Sequence, residues 1–87
     1  MARRDADPVE VLASRLAADV ARIRLARQLS QAELARLCGT TQSAIARLER
    51  GSRPPRLDTL ARIAEALDCS LDVGLSPRTA LPGGPDD

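Results

Sequence analysis

The chain contains no histidine, no phenylalanine, tyrosine or tryptophan, and no lysine; all thirteen of its basic residues are arginine. Without His, the commonest general base and the commonest neutral metal ligand are both missing. Without aromatic rings there is no platform for base stacking, which excludes most modes of single-strand nucleic-acid binding. The two cysteines, Cys38 and Cys69, stand 31 positions apart with no clustered carboxylates, too few and too far apart for a zinc site. We expect no metal, no cofactor and no enzyme, since no His is present to activate Ser43 or Cys38 as a nucleophile. No run approaches the ~18 apolar residues that span a bilayer, and Met1-Ala2-Arg3-Arg4-Asp5 has no apolar stretch behind it to act as a signal. The expectation is a cytoplasmic protein with no membrane partner.

What is present fits one small globular domain. The sequence has 87 residues, 44% apolar and 29% charged, and a chain of this size buries only about 60% of the surface its unfolded form exposes. The net charge is only +1, but it is unevenly spread. Between Arg22 and Arg62 nine Arg stand against Glu33, Glu49 and Asp58, whereas residues 63–87 hold five acids against Arg78. A basic centre with acidic flanks suits an anionic partner met on one face.

The local signals predict four helices. Residues 1–7 read as a flexible leader. Asp7-Pro8-Val9-Glu10 combines an N-cap, a Pro at the first helical position and a Glu placed to close a capping box. Val9, Leu12, Leu16, Val20 and Ile23 then follow at helical spacing, predicting a helix over 8–27. That is long for so small a domain, and Val9 and Leu12 are left without intramolecular cover, free to face a second subunit. Ser30-Gln31-Ala32-Glu33 is a second capping box, opening a short helix to Cys38 with Leu34, Leu37 and Cys38 inward and Gly39 as its stop. Thr41 caps a third helix over 42–50, ended by Gly51; Ser52-Arg53-Pro54-Pro55 is an extended loop. Leu57, Leu60, Ile63, Ala64 and Leu67 place a fourth helix over 56–67. Leu71, Val73 and Leu75 then alternate, the spacing of a strand over 70–76. No second strand exists to pair with it, so its partner is expected from another copy; a short fifth helix or a covering loop is the alternative. Residues 77–87 read as a flexible tail.

Two short capped helices joined by a Gly-bearing turn form a helix-turn-helix pattern. On the third helix Gln42, Ser43, Ala46, Arg47 and Arg50 fall on one side, and Ala44, Ile45 and Leu48 on the other. Small residues set between amide and guanidinium groups suit a helix lying deep in the DNA major groove.

Leu29-Ser30-Gln31-Ala32-Glu33-Leu34-Ala35, Gly39-Thr40-Thr41-Gln42-Ser43 and Ile45-Ala46-Arg47-Leu48-Glu49-Arg50-Gly51, continued by Pro54, Leu57, Leu60, Ile63, Ala64 and Leu67, resemble the lambdoid phage repressor and Cro type of helix-turn-helix, the Xre family. The resemblance covers about residues 20–71. It implies an all-α, four-helix, repressor-like domain over 8–69 that binds double-stranded operator DNA. It places Gln42, Ser43 and Arg47 at base-contact positions. It implies phosphate contacts for Gln31 and Thr41, and places Arg53 and Arg56 over the DNA backbone or an adjacent minor groove; Arg50, read from its place on the helix, is expected at phosphate, with capping of the helix C-terminus or no contact as the alternatives. The resemblance also implies a structural ion pair between Arg24 and Glu49. Two departures stand out: Gln28 replaces the Gly common before the Leu-Ser-Gln run, so the first helix is expected either to run further or to end in strained geometry, and Cys38 stands where Leu is usual.

One reading helix offers too few base contacts for specificity, so a symmetric homodimer is expected, with Val9, Leu12, Leu71, Val73 and Leu75 at its interface. Small members with a strand after the fourth helix are similar to antitoxins of the HipB and HigA kinds, which repress their own operon and neutralise a toxin protein. A stand-alone regulator, a prophage repressor or a protein-interaction module without DNA binding are the alternatives.

Overall fold

A computed structural model of the chain describes residues 7–78. Most of the expected leader and tail, residues 1–6 and 79–87, lies outside the described residues. Four helices follow in order: α1 (Pro8–Ala26), α2 (Gln31–Cys38), α3 (Gln42–Arg50) and α4 (Leu57–Ala66). Their starts follow the capping chemistry. Asp7 Oδ1 accepts from the Val9 N–H at 3.0 Å, with Pro8 at the first helical position. The reciprocal Glu10 bond of a capping box is not among the bonds of the described residues. At α2 the box closes in both directions: the Glu33 N–H donates to Ser30 Oγ at 2.9 Å, and the Ser30 N–H donates to Glu33 Oε1 at 2.7 Å. These bonds from Ser30, backbone first, hold the Glu33 carboxyl below the ordinary carboxylate range.

Three helices end in the same Schellman turn. The Leu29, Thr40 and Cys69 N–H groups reach back to the carbonyls of Arg24, Ala35 and Ala64 at 3.1, 2.9 and 2.8 Å. The turn demands a left-handed residue just past the helix. At α2 that residue is Gly39, but at α1 it is Gln28 with φ 61° and at α4 Asp68 with φ 57°. The strained ending expected of Gln28 is therefore the one that forms. A side chain in this region costs roughly 1–2 kcal/mol, less for Asp than for most residues. Gln28→Gly should thus stabilise the chain by about 1 kcal/mol and raise Tm by about 4–8 °C. Thermal unfolding followed by far-UV circular dichroism tests this; an unchanged or lower Tm would mean that the Gln28 side chain contributes more than its backbone costs.

α3 packs against α1 and α2, and α4 against α2. The core is Val20 of α1, Leu34, Ala35 and Cys38 of α2, Ile45 and Leu48 of α3, Ile63 of α4, and Leu67, with Ile23, Leu29, Ala66 and Cys69 packed on it. Two inward faces differ from expectation. Leu37 is 60% exposed and Ala35 takes its place: the buried arc of α2 runs from Leu34 through Cys38 to Ala35, and Leu37 lies about 60° outside its edge. On α1 the buried row is Ala13, Ala17, Val20 and Arg24; of the apolar row read from the sequence, Val20 is buried, Leu16 and Ile23 are half-buried, and Val9 and Leu12 lack cover as expected. The cause is a close approach: a Cβ added to Gly51, at the end of α3, would lie 3.3 Å from both Ala17 Cβ and Ser14 Cα. Only small residues fit there, so the bulky row turns aside and leaves Val9 and Leu12 more than half exposed.

The expected strand over 70–76 is not formed as a paired element. Residues 69–78 carry neither helix nor strand; among the described residues no second extended segment offers the ladder bonds a strand needs. Val73 and Leu75 project into solvent, while Cys69 and Leu71 edge a shallow cavity of about 110 Å³ between α1 and α4. Among the described residues no helix is long and apolar enough to cross a membrane.

Candidate nucleic-acid interface

Thr41 sets the start of α3. Its Oγ1 accepts from the Ala44 N–H at 3.1 Å, which leaves its own hydroxyl hydrogen free to donate outward. With Ile45 and Leu48 buried, the rest of α3 faces away from the core. At 100° per residue, Gln42, Ala46, Arg50, Ser43 and Arg47 follow one another across an arc of about 140°. Gln42, Ser43, Arg47 and Arg50 are exposed, and Ala46 between them is half-buried. The arc thus has polar reach at its edges and no bulky apolar chain at its centre.

The loop after α3 extends the basic face. Arg47, Arg53 and Arg56 rim an open cavity of about 270 Å³ whose floor includes Ala44, Leu48 and Pro54. Among the described residues Arg47, Arg50 and Arg53 form no ion pair. Arg56 does: its Nε lies 3.3 Å from Asp58 Oδ1, with both side chains largely exposed. A pair so exposed adds little stability, and Arg56 remains within reach of an outside anion.

The expected Arg24–Glu49 pair forms, and in more detail than sequence reasoning supplied. Arg24 Nε and Nη2 donate to the two Glu49 oxygens at 2.7 and 3.0 Å, and Arg24 Nη1 donates to the Leu29 carbonyl at 2.8 Å. The side chains are 11% and 8% exposed. Burial alone would push the Glu49 carboxyl up, but hydrogen bonds from Arg24 and from Gln31, with the Arg24 charge, hold it below the ordinary range. The bond to Glu49 likewise outweighs burial at Arg24 and raises its pKa. The one acid of α3 is therefore neutralised and hidden.

Gln31 has a partner inside the fold. It is half-buried, and its Nε2 donates to Glu49 Oε1 at 3.0 Å. Sequence reasoning missed this third member because nothing local to Gln31 points to a carboxylate 18 residues on. Arg27 is also committed: its Nε donates to the Leu67 carbonyl at 2.8 Å, tying the end of α1 to the end of α4. Cys38 is buried, and burial pushes its thiol up, away from nucleophilic character. Among the described residues no group of three His, Cys, Asp or Glu is placed to hold a metal.

Comparison with known proteins agrees with this geometry. A family model described as helix-turn-helix, HTH_3, matches residues 20–73. An uncharacterized HTH-type transcriptional regulator, y4dL, of Sinorhizobium fredii is 42% identical over 59 residues, 68% of this chain; the chain spans only 29% of that relative's length. Among solved structures, the restriction-modification controller protein C.AhdI from Aeromonas hydrophila superposes with a TM-score of 0.69 at 30% identity, over 74% of this chain and 93% of that one. An HTH_3 family transcriptional regulator from Vibrio cholerae gives 0.66 at 31% identity, over 70% of this chain and 34% of that one.

Proposed function

Because the chain belongs to the HTH_3 family of helix-turn-helix transcriptional regulators, we propose that it binds double-stranded operator DNA sequence-specifically and represses transcription as a homodimer. The observation that carries this reading is the exposed arc of α3, whose Arg47 and Arg50 form no ion pair among the described residues while the one acid of the helix is paired and buried. Gln42, Ser43 and Arg47 read bases. Thr41, Arg50, Arg53 and Arg56 hold the backbone. In a titration with its selected duplex, Arg47→Ala should cost about 1–3 kcal/mol and relax preference at one base pair. An equal loss on every sequence would make Arg47 a phosphate contact, as its place on the rim of the arginine-lined cavity also permits. A wild-type chain without salt-sensitive duplex binding would leave a protein-interaction module instead.

A single α3 is too small a reader for a genome of competing sites; two copies about 34 Å apart would read half-sites one helical turn apart. The exposed Val9 and Leu12 and the unpaired segment with Leu71, Val73 and Leu75 support this dimer. Replacing Val73 and Leu75 by Ser should leave each fold intact and reduce the sedimenting mass to one chain; an unchanged mass would remove the segment from the interface.

As to what is regulated, we favour an antitoxin of the HipB or HigA kind that represses its own operon and binds a toxin protein. A toxin reading frame beside this one, with a product that binds this chain, would support that role. The structural likeness to a restriction-modification controller favours a second reading, in which the neighbouring frame encodes a restriction or modification enzyme.

A further inference from the structure

We propose that Gln31 is a positioning residue for α3: its bond to Glu49 holds the helix at the angle from which Gln42, Ser43 and Arg47 reach the bases. This rests on the operator-binding reading above and assigns Gln31 a different part in it from a backbone contact. Glu49 is fastened from two sides. Arg24 grips both of its oxygens from α1 and is itself tied to the Leu29 carbonyl, in the loop before α2. Gln31, the first residue of α2, adds a donor to Oε1, the oxygen that also receives Arg24 Nη2. It supplies the bond that links α2 directly to this carboxylate. Without it, the angle between the two helices would rest on the short turn over Gly39, Thr40 and Thr41 and on apolar packing, which is not directional.

The point of attachment makes the bond matter for reading. Glu49 follows Gln42 by seven residues, so the two lie within about 20° of each other around the α3 axis. A pull on Glu49 therefore turns the edge that carries Gln42. A side chain that only held a phosphate would contribute equally on every sequence. One that sets the angle of the reader contributes where the base contacts count.

The test uses the full chain and Gln31→Met, which keeps the length and bulk of the side chain and removes the donor. Two measurements are made: the carboxyl titration of Glu49 by carbon-13 resonance without DNA, and affinities at one salt concentration for two duplexes. One duplex is that enriched by the wild-type chain from a random library; the other is a scrambled duplex of equal length. We expect Glu49 to titrate higher than in the wild type, and affinity for the enriched duplex to fall about tenfold with little change on the scrambled one. Gln31→Asn, which keeps the amide but withdraws it by one methylene, should give the same fall in the ratio should the Met variant unfold. Equal losses on both duplexes, no loss on either, or an unmoved Glu49 titration would each overturn the inference alone. A wild-type chain that enriches no duplex would instead remove the operator-binding reading, and this inference with it.

Discussion

Glu49→Ala should destabilise the chain by about 3–5 kcal/mol, because it leaves the Arg24 guanidinium buried without its counter-charge. For a domain whose total stability is on the order of 5–15 kcal/mol, that is a large share. Urea unfolding followed by circular dichroism measures it, and a loss under about 1 kcal/mol would mean that the pair behaves as a surface pair. The double variant Arg24→Met with Glu49→Leu is the informative control: with both charges gone, about neutral stability is expected, while duplex specificity should remain impaired. The pH dependence has a definite sign. The Glu49 carboxyl is held below its ordinary range in the fold, so its stabilising effect is present at neutral pH and is lost as pH falls through the folded value. The wild type should weaken toward acid more steeply than Glu49→Ala does.

The second large effect is electrostatic. Replacing Arg50, Arg53 and Arg56 together by Gln should reduce the slope of log Kobs against log salt by about 3, since each phosphate contact contributes about 0.9. At ~0.1 M salt this corresponds to a loss of between about two and three orders of magnitude in affinity, the same on every duplex. All three residues are exposed, so the fold should survive the change. A loss confined to the selected duplex would place these arginines on bases, and an unchanged slope would remove them from the interface.

The helix-turn-helix was legible wherever its determinants are local. Ser30 with Glu33, Thr41, Gly39 and Gly51 each state a helix end within four residues, and all of these ends form where expected. The polar arc of α3 was legible for the same reason, because helical periodicity alone separates Gln42, Ser43 and Arg47 from Ile45 and Leu48. Arg24 and Glu49, 25 residues apart, were legible only through resemblance, since charge says nothing of which opposite charge it meets. Three features were hidden. The burial of Ala13 and Ala17 on α1 was hidden because apolar spacing passes over alanine, whereas the approach of Gly51 selects for size. The partner of Gln31 depends on how α2 crosses α3. The segment around Val73 has the alternation of a strand but no complementary edge among the described residues, so periodicity could not say what it would pair with.

The contact of Gly51 with Ala17 and Ser14 bears on how recognition evolves. A side chain at position 51 would press on Ala17 and on the Ser14 backbone, so glycine lets the end of α3 seat closely on α1. New target preferences are therefore open to exchanges along the outer surface of α3, which leave this seat untouched, and closed to a side chain at position 51, which would press the helix end off α1.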